Sequence, residues 1–329
     1  MVKYDSIIFE MRVYFMLWDS KPYYSLDYFL KKKFNEKVMK ITLDGGFTCP
    51  NRDGKIAFGG CTFCSSEGSG EFSGDRLKSI TEQFNEQKII MKKKWKSNKY
   101  IAYFQAYTNT YGPIDKLKSL YDEALLQEGV VGLSIGTRPD CLSNEVLDLL
   151  SYYNEKTYLS VELGLQSSND QTGIYINRGH DSNCFKEAVI NLRKRNIDVV
   201  THVIFGLPYE TEKIMMDTVK FANSLDIQGI KYHLLYIIKN TKLCNQYLEN
   251  PSIYTLTRES YIELIGKALI NTNPNIVIHR ITGDAKREDI ITPLWSIKKW
   301  ELLNSIHDYL NKNNLYQGKN FNNNNNIFP

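Results

Sequence analysis

The chain has 329 residues, 42% of them hydrophobic and 24% charged, with a net charge of +4. This composition describes a folded protein with room for one large α/β domain or two smaller ones; it excludes a disordered chain and a small disulfide-stapled scaffold. The apolar stretch at 7–18 carries Glu10 and Arg12, is too short to span a bilayer and lacks the pattern of a signal peptide, so a cytoplasmic protein with no membrane partner is expected.

In chain order, residues 1–22 read as an N-terminal extension. From residue 38 short apolar runs alternate with longer amphipathic segments. Strands are expected at 38–43, 100–105, 130–135, 157–164, 197–205 and 229–236, with helices at 77–94, 114–127, 144–153, 183–194 and 210–224. Strands that alternate with helices predict a parallel sheet of β–α units. Six such units over 23–250 fit either a doubly wound sheet or an incomplete barrel. After residue 250 the pattern changes to a helix at 258–270, a strand at 276–279 and a helix at 296–311, read as a C-terminal α/β cap over 251–313. The remainder, 314–329, ends in an Asn-rich run and is expected to be disordered. In either architecture, function belongs at the C-terminal ends of the strands. The unusual residues fall there, in the loops after the first five strands.

The first of these loops holds Cys49, Cys61 and Cys64, spaced C-x11-C-x2-C. Three thiolates suit a 4Fe-4S cubane with one iron left open to a small molecule, a role that a fully ligated cluster cannot play. The small molecule that such an open iron suits is S-adenosylmethionine (SAM), chelated through its amino and carboxylate groups. Structural zinc is the competing reading; it takes four closed ligands, commonly two C-x-x-C-like pairs, and here there is one pair and no histidine in the loop. Cys141, Cys184 and Cys244 lie far apart and form no second pair. Phe63, between the paired cysteines, suits either packing on adenine or plain loop packing.

A set of runs then carries a resemblance: TCPNRDG at 48–54, GCTFC at 60–64, FQAYTNTY at 104–111, GTRPD at 136–140, ELGLQS at 162–167, NRGH at 177–180, THVIFGLP at 201–208 and TGD at 282–284. Over about residues 24–295 the chain resembles the radical SAM enzymes of the YhcC/YtqA subfamily, related to the elongator catalytic subunit. The resemblance implies a partial (βα)6 TIM-like barrel holding a 4Fe-4S cluster that cleaves SAM reductively to a 5′-deoxyadenosyl radical. It also implies SAM contacts. In the related oxygen-independent coproporphyrinogen dehydrogenase, a Gln after the fourth strand and an Arg twelve residues on touch SAM; Gln166 and Arg178 keep that spacing. Gln105, Thr108 and Asn109 stand in the loop that usually holds the methionine amino group, and Ile204 lines the expected adenine pocket. His202 replaces an acidic residue on the fifth strand. Glu162 is expected either to contact SAM or to be a buried carboxylate tied to a neighbouring strand.

On the substrate side, Arg138, Asp140, His180, His233, Arg280 and Asp284 are expected near the rim. The subfamily's link to aminomethyl-uridine formation implies a tRNA substrate, modified at a wobble-uridine side chain, with a donor such as flavodoxin or ferredoxin supplying the electron. Lysine clusters at 31–33, 92–99 and 298–299 suit either solvated helix faces or RNA phosphates. A small metabolite is the alternative substrate. A non-catalytic iron–sulfur or zinc protein is the alternative that needs no SAM cleavage.

Overall fold

The computed structural model describes residues 18–321, apart from Ser69 and Thr255. Of the apolar stretch at 7–18 only Trp18, which is buried, falls within the described residues, and the Asn-rich run from 322 lies outside them. Helix α1 (Leu26–Phe34) leads into six β–α repeats: β1 (Val38–Leu43), α2 (Ile80–Lys92), β2 (Lys99–Phe104), α3 (Ile114–Leu125), β3 (Val130–Thr137), α4 (Asn144–Lys156), β4 (Tyr158–Gln166), α5 (Asp170–Tyr175), α6 (Ser182–Arg193), β5 (Asp198–Phe205), α7 (Glu212–Asn223) and β6 (Gly229–Leu234). After them come β7 (Ile237–Ile238), α8 (Lys242–Glu249), α9 (Arg258–Ile270), β8 (Val277–Arg280), β9 (Ile290–Thr292) and α10 (Lys299–Lys312). Most of these helices start at a side-chain cap. Ser79 and Glu82 form a reciprocal capping box on α2, and Thr211 caps α7.

The sheet is all parallel, ordered β1-β2-β3-β4-β5-β6-β8, and curls into an open half-barrel. The short strand expected inside the cap is therefore the seventh strand of the main sheet, since β8 pairs with β6 through Gly229↔Val277. Register alternation splits each strand into two faces. The outward face is apolar: Met39, Ile41, Phe104, Ile135, Val161, Leu163, Val203 and Tyr232 pack under the helices in one large core. The inward face is polar. It carries Lys40, Tyr103, Ser134, Glu162, His202 and Lys231 where closed barrels of this type are filled by branched apolar side chains.

Two features draw the ends of the sheet together. Helix α1 packs on both β1 and β8, and Ile278 N–H bonds Tyr24 O at 2.7 Å. Gln317 is fully buried and bonds Tyr24 N–H, Asn273 O and Ile276 O. The tail expected to be disordered from 314 is therefore ordered through 321, because its first residues satisfy backbone groups of the barrel floor.

Candidate active site

The C-terminal ends of the strands and the open flank of the half-barrel enclose a cavity of about 1250 Å³. Cys49, Cys61 and Cys64 line it, together with Phe63, Gln105, Thr108, Glu162, Gln166, Arg178, His202 and Ile204. Arg138, His180, His233, Arg280 and Asp284 line it as well. Asn109 does not. It is fully buried, and its amide and backbone N–H both bond Gly136 O, which ties the second loop to the third. Asp140 also stays off the wall and holds Arg138 in a bidentate pair at 2.9 and 2.6 Å.

The cysteine loop is braced from outside itself. Asn51 is buried, donates to Asn177 O at 2.6 Å and reaches the Cys61 sulfur at 3.7 Å. Asn177 returns a bond to Gly60 O at 2.8 Å. Gly60 has φ of 79°, and a Cβ there would stand 2.9 Å from the Arg52 side chain, so the left-handed turn and the close approach both require glycine. Arg52 donates to the carbonyls of Cys64 and Ser65 and lies over the Tyr107 ring. Thr62 joins the loop to Ile176 O and Leu243 N–H, each at 2.9 Å. Asn51, Arg52, Tyr107 and Asn177 went unassigned in the sequence reading, although each lies inside a run that carried the resemblance.

Burial pushes the Cys61 thiol up to about 12, and the neighbouring thiolates of Cys64 and Cys49 push the same way. Three thiols in one cavity with that mutual repulsion are a donor set that suits a polynuclear cation. Among the described residues no three His, Cys, Asp or Glu side chains converge on a single metal ion. A cubane needs no such convergence, because each thiolate takes its own iron.

Two expected SAM contacts have other partners here. Arg178 is 1% exposed. Its guanidinium donates to the carbonyls of His180, Leu165 and Ser167 and to Asp170 at 2.8 Å, so every donor group is engaged in bracing the loop after β4. Gln166 adopts a left-handed backbone (φ 59°) at the end of β4, and its amide faces the carbonyls of Leu165 and Gly164.

Glu162 follows the second of its two expectations. Its fully buried carboxylate accepts from Lys40 at 2.6 Å, Ser134 at 2.9 Å and Tyr103 at 2.7 Å, pairs with His202 Nε2 at 2.7 Å, and holds Lys231 in an ion pair. Five strands thus converge on one carboxylate. Burial works to raise Glu162, but Lys231 and Lys40 outweigh it and hold the group well below the usual carboxylate range. Burial lowers Lys231 to about 7 against the pull of Glu162, with Lys40 and Arg280 adding to the fall. Burial and then Lys231 lower His202 to about 4, and burial takes His233 and His279 well below their ordinary value. The floor is a polar layer of neutral imidazoles and cations gathered around one carboxylate.

The family model of the radical SAM superfamily matches residues 49–222, and that of the radical SAM C-terminal domain matches 227–312. The chain belongs to the radical SAM superfamily. YtqA of Bacillus subtilis is 48% identical over 92% of this chain and 93% of its own, which places the chain in the YhcC/YtqA subfamily. A probable threonylcarbamoyladenosine tRNA methylthiotransferase of Methanocaldococcus jannaschii is 29% identical over 36% of this chain and 29% of its own. Among solved structures, the Elp3 of Methanocaldococcus infernus superposes with a TM-score of 0.65 at 17% identity, over 85% of this chain and 64% of that one, a likeness of fold. Enzymes of this superfamily use a 4Fe-4S cluster and SAM, and Cys49, Cys61 and Cys64 are the residues that fit the cluster. Among the described residues no helix is long and apolar enough to cross a membrane.

Proposed function

We propose that the chain is a radical SAM enzyme that modifies a wobble-uridine side chain in tRNA. Bound together, the cluster and SAM supply reductive cleavage of the sulfonium, with the electron brought by a donor such as a flavodoxin or ferredoxin. The protein's own part is positional and electrostatic. The Cys49–Cys64 loop holds the cluster. Gln105, Thr108, Gln166, Ile204 and Phe63 form the wall where SAM belongs. Lys231 Nζ, brought to about 7, can hold or release a proton there near neutral pH.

The observation that carries the reading is the opening of the cavity along the flank of the half-barrel. Its roughly 1250 Å³ has to take the cluster and SAM as well as the reacting group, and the open flank leaves a path for the rest of a polymer. A nucleotide still attached to a polymer needs such an opening. The tRNA named in the methylthiotransferase relative supports the same substrate class.

The test is anaerobic reconstitution with iron and sulfide, reduction with SAM, and chromatography of 5′-deoxyadenosine beside a Cys61→Ala control. Deoxyadenosine from the native protein alone is expected. Nucleoside mass spectrometry of tRNA incubated in the same reaction should show a mass change at the wobble uridine. Deoxyadenosine formation that responds to small metabolites and leaves tRNA unaltered would refute the substrate assignment.

A further inference from the structure

The open flank has two lips, and they share an unusual composition. From the β1 end of the sheet, α2 runs down the opening and is followed by the segment 92–96, Lys-Lys-Lys-Trp-Lys. All five of these side chains are exposed, and among the described residues no acidic group pairs with Lys92, Lys93, Lys94 or Lys96. Trp95 is 45% exposed at the cavity edge, with Lys37 Nζ 3.7 Å from its ring centroid. From the β8 end, Trp300 opens α10 at the same cavity and is 70% exposed, while Phe72 adds a third half-exposed ring. Lys299 beside Trp300 is anchored to Asp284 at 2.5 Å, which links this lip to the loop after β8.

Two exposed tryptophans and a half-exposed phenylalanine lining one cavity, beside four lysines with no acidic partner among the described residues, have a specific chemical complement. A folded protein partner would match the rings but not the run of cations. Duplex nucleic acid would match the cations but has its bases stacked away from the rings. Single-stranded RNA offers both phosphates and free base faces. We propose that these lips are a clamp for a single-stranded RNA loop laid along the flank: Trp300 at the mouth and Trp95 at the lower end, beside the start of β1, stack on exposed bases, Lys92, Lys93, Lys94 and Lys96 take phosphates, and the reacting nucleotide enters the cavity at the mouth. The clamp rests on the tRNA reading above, to which it adds the docking surface and the residues that form it.

The probe is a fluorescent anticodon stem-loop RNA, compared with a fully paired RNA duplex, on the full chain carrying its cluster. Iron content and melting temperature serve as folding checks. Trp95→Ala and Trp300→Ala should each weaken stem-loop binding about ten-fold, while Trp95→Phe and Trp300→Phe keep most of it because a ring remains to stack. A Lys93→Gln/Lys94→Gln double variant should flatten the dependence of log affinity on log salt by about 1.4, at about 0.7 per lost phosphate contact. Native-like affinity in both alanine variants, or equal affinity for the duplex, overturns the clamp. If such a protein still alters a tRNA uridine, the functional reading survives without it. If the clamp behaves as described and no uridine is altered, that reading fails and the docking surface stands. If RNA binds only after removal of residues 1–17, the chain's own N-terminal segment is the occupant and the proposal falls.

Discussion

Glu162 shows how one side chain can set the character of a whole cavity. Five donors reach it from five strands, so one carboxylate is the shared counter-charge of Lys40 and Lys231 on the inner face of the half-barrel. Removing the charge with near-perfect isostery isolates its role. Glu162→Gln should cost about 3–5 kcal/mol, since two buried cations lose their counter-charge, and denaturant melts of the cluster-free protein would read it. A loss under 1 kcal/mol would mean that Lys231 already sits neutral. Glu210 makes the opposite case. Burial raises it to about 7, against the opposing bond from Ser167. An acid raised on folding binds its proton more tightly in the native state. Its stabilising contribution is complete below about 4.5 and is lost as pH rises through 7. Native protein should therefore lose up to about 3 kcal/mol relative to Glu210→Gln between pH 5 and pH 8. Parallel slopes for the two proteins over that window would show that Glu210 titrates normally.

Among elements, what was legible depended on whether the signal was local. The six strand–helix repeats could be read because each strand is a compact apolar run and each helix begins at a Ser, Thr, Asn, Asp or Pro stop, as at Ser79, Ser143 and Thr211. The cysteine loop was equally plain, since a three-ligand spacing needs no partner elsewhere. The strand at Val277–Arg280 is only four residues, and nothing local says that it joins β6 rather than a separate cap. Arg178 illustrates a different gap. Its spacing from Gln166 was visible, but its engagement with four groups of the β4 loop depends on a tertiary fold that brings His180, Leu165 and Asp170 around one guanidinium. The polar floor lay in plain view as alternation, in Ser160, Glu162, Gly164 and Gln166 along one strand face, yet its meaning required neighbours from five other strands.

For the whole molecule, the problem is that a half-barrel has two edges. A closed barrel satisfies every strand edge by pairing; this sheet leaves β1 and β8 unpaired with each other, with the flank open between them. The N-terminal ends of those strands are joined through α1 and the C-terminal segment, with Gln317 as the hub between Tyr24, Asn273 and Ile276. The seam is thus fastened at the floor and free at the mouth. Gln317→Ala would leave a backbone N–H and two carbonyls without this partner in a site that is fully buried. The expected loss is about 2–4 kcal/mol, at about 1–3 kcal/mol for each stranded group with partial relaxation. Hydrogen exchange gives the sharper readout. If the hub couples the two ends, amides of α1 and β8 should lose protection together in the variant while those of β3 and β4, deep in the sheet, keep theirs. Loss confined to residues around 317 would show that the C-terminal segment is fastened to the floor without fastening the floor itself.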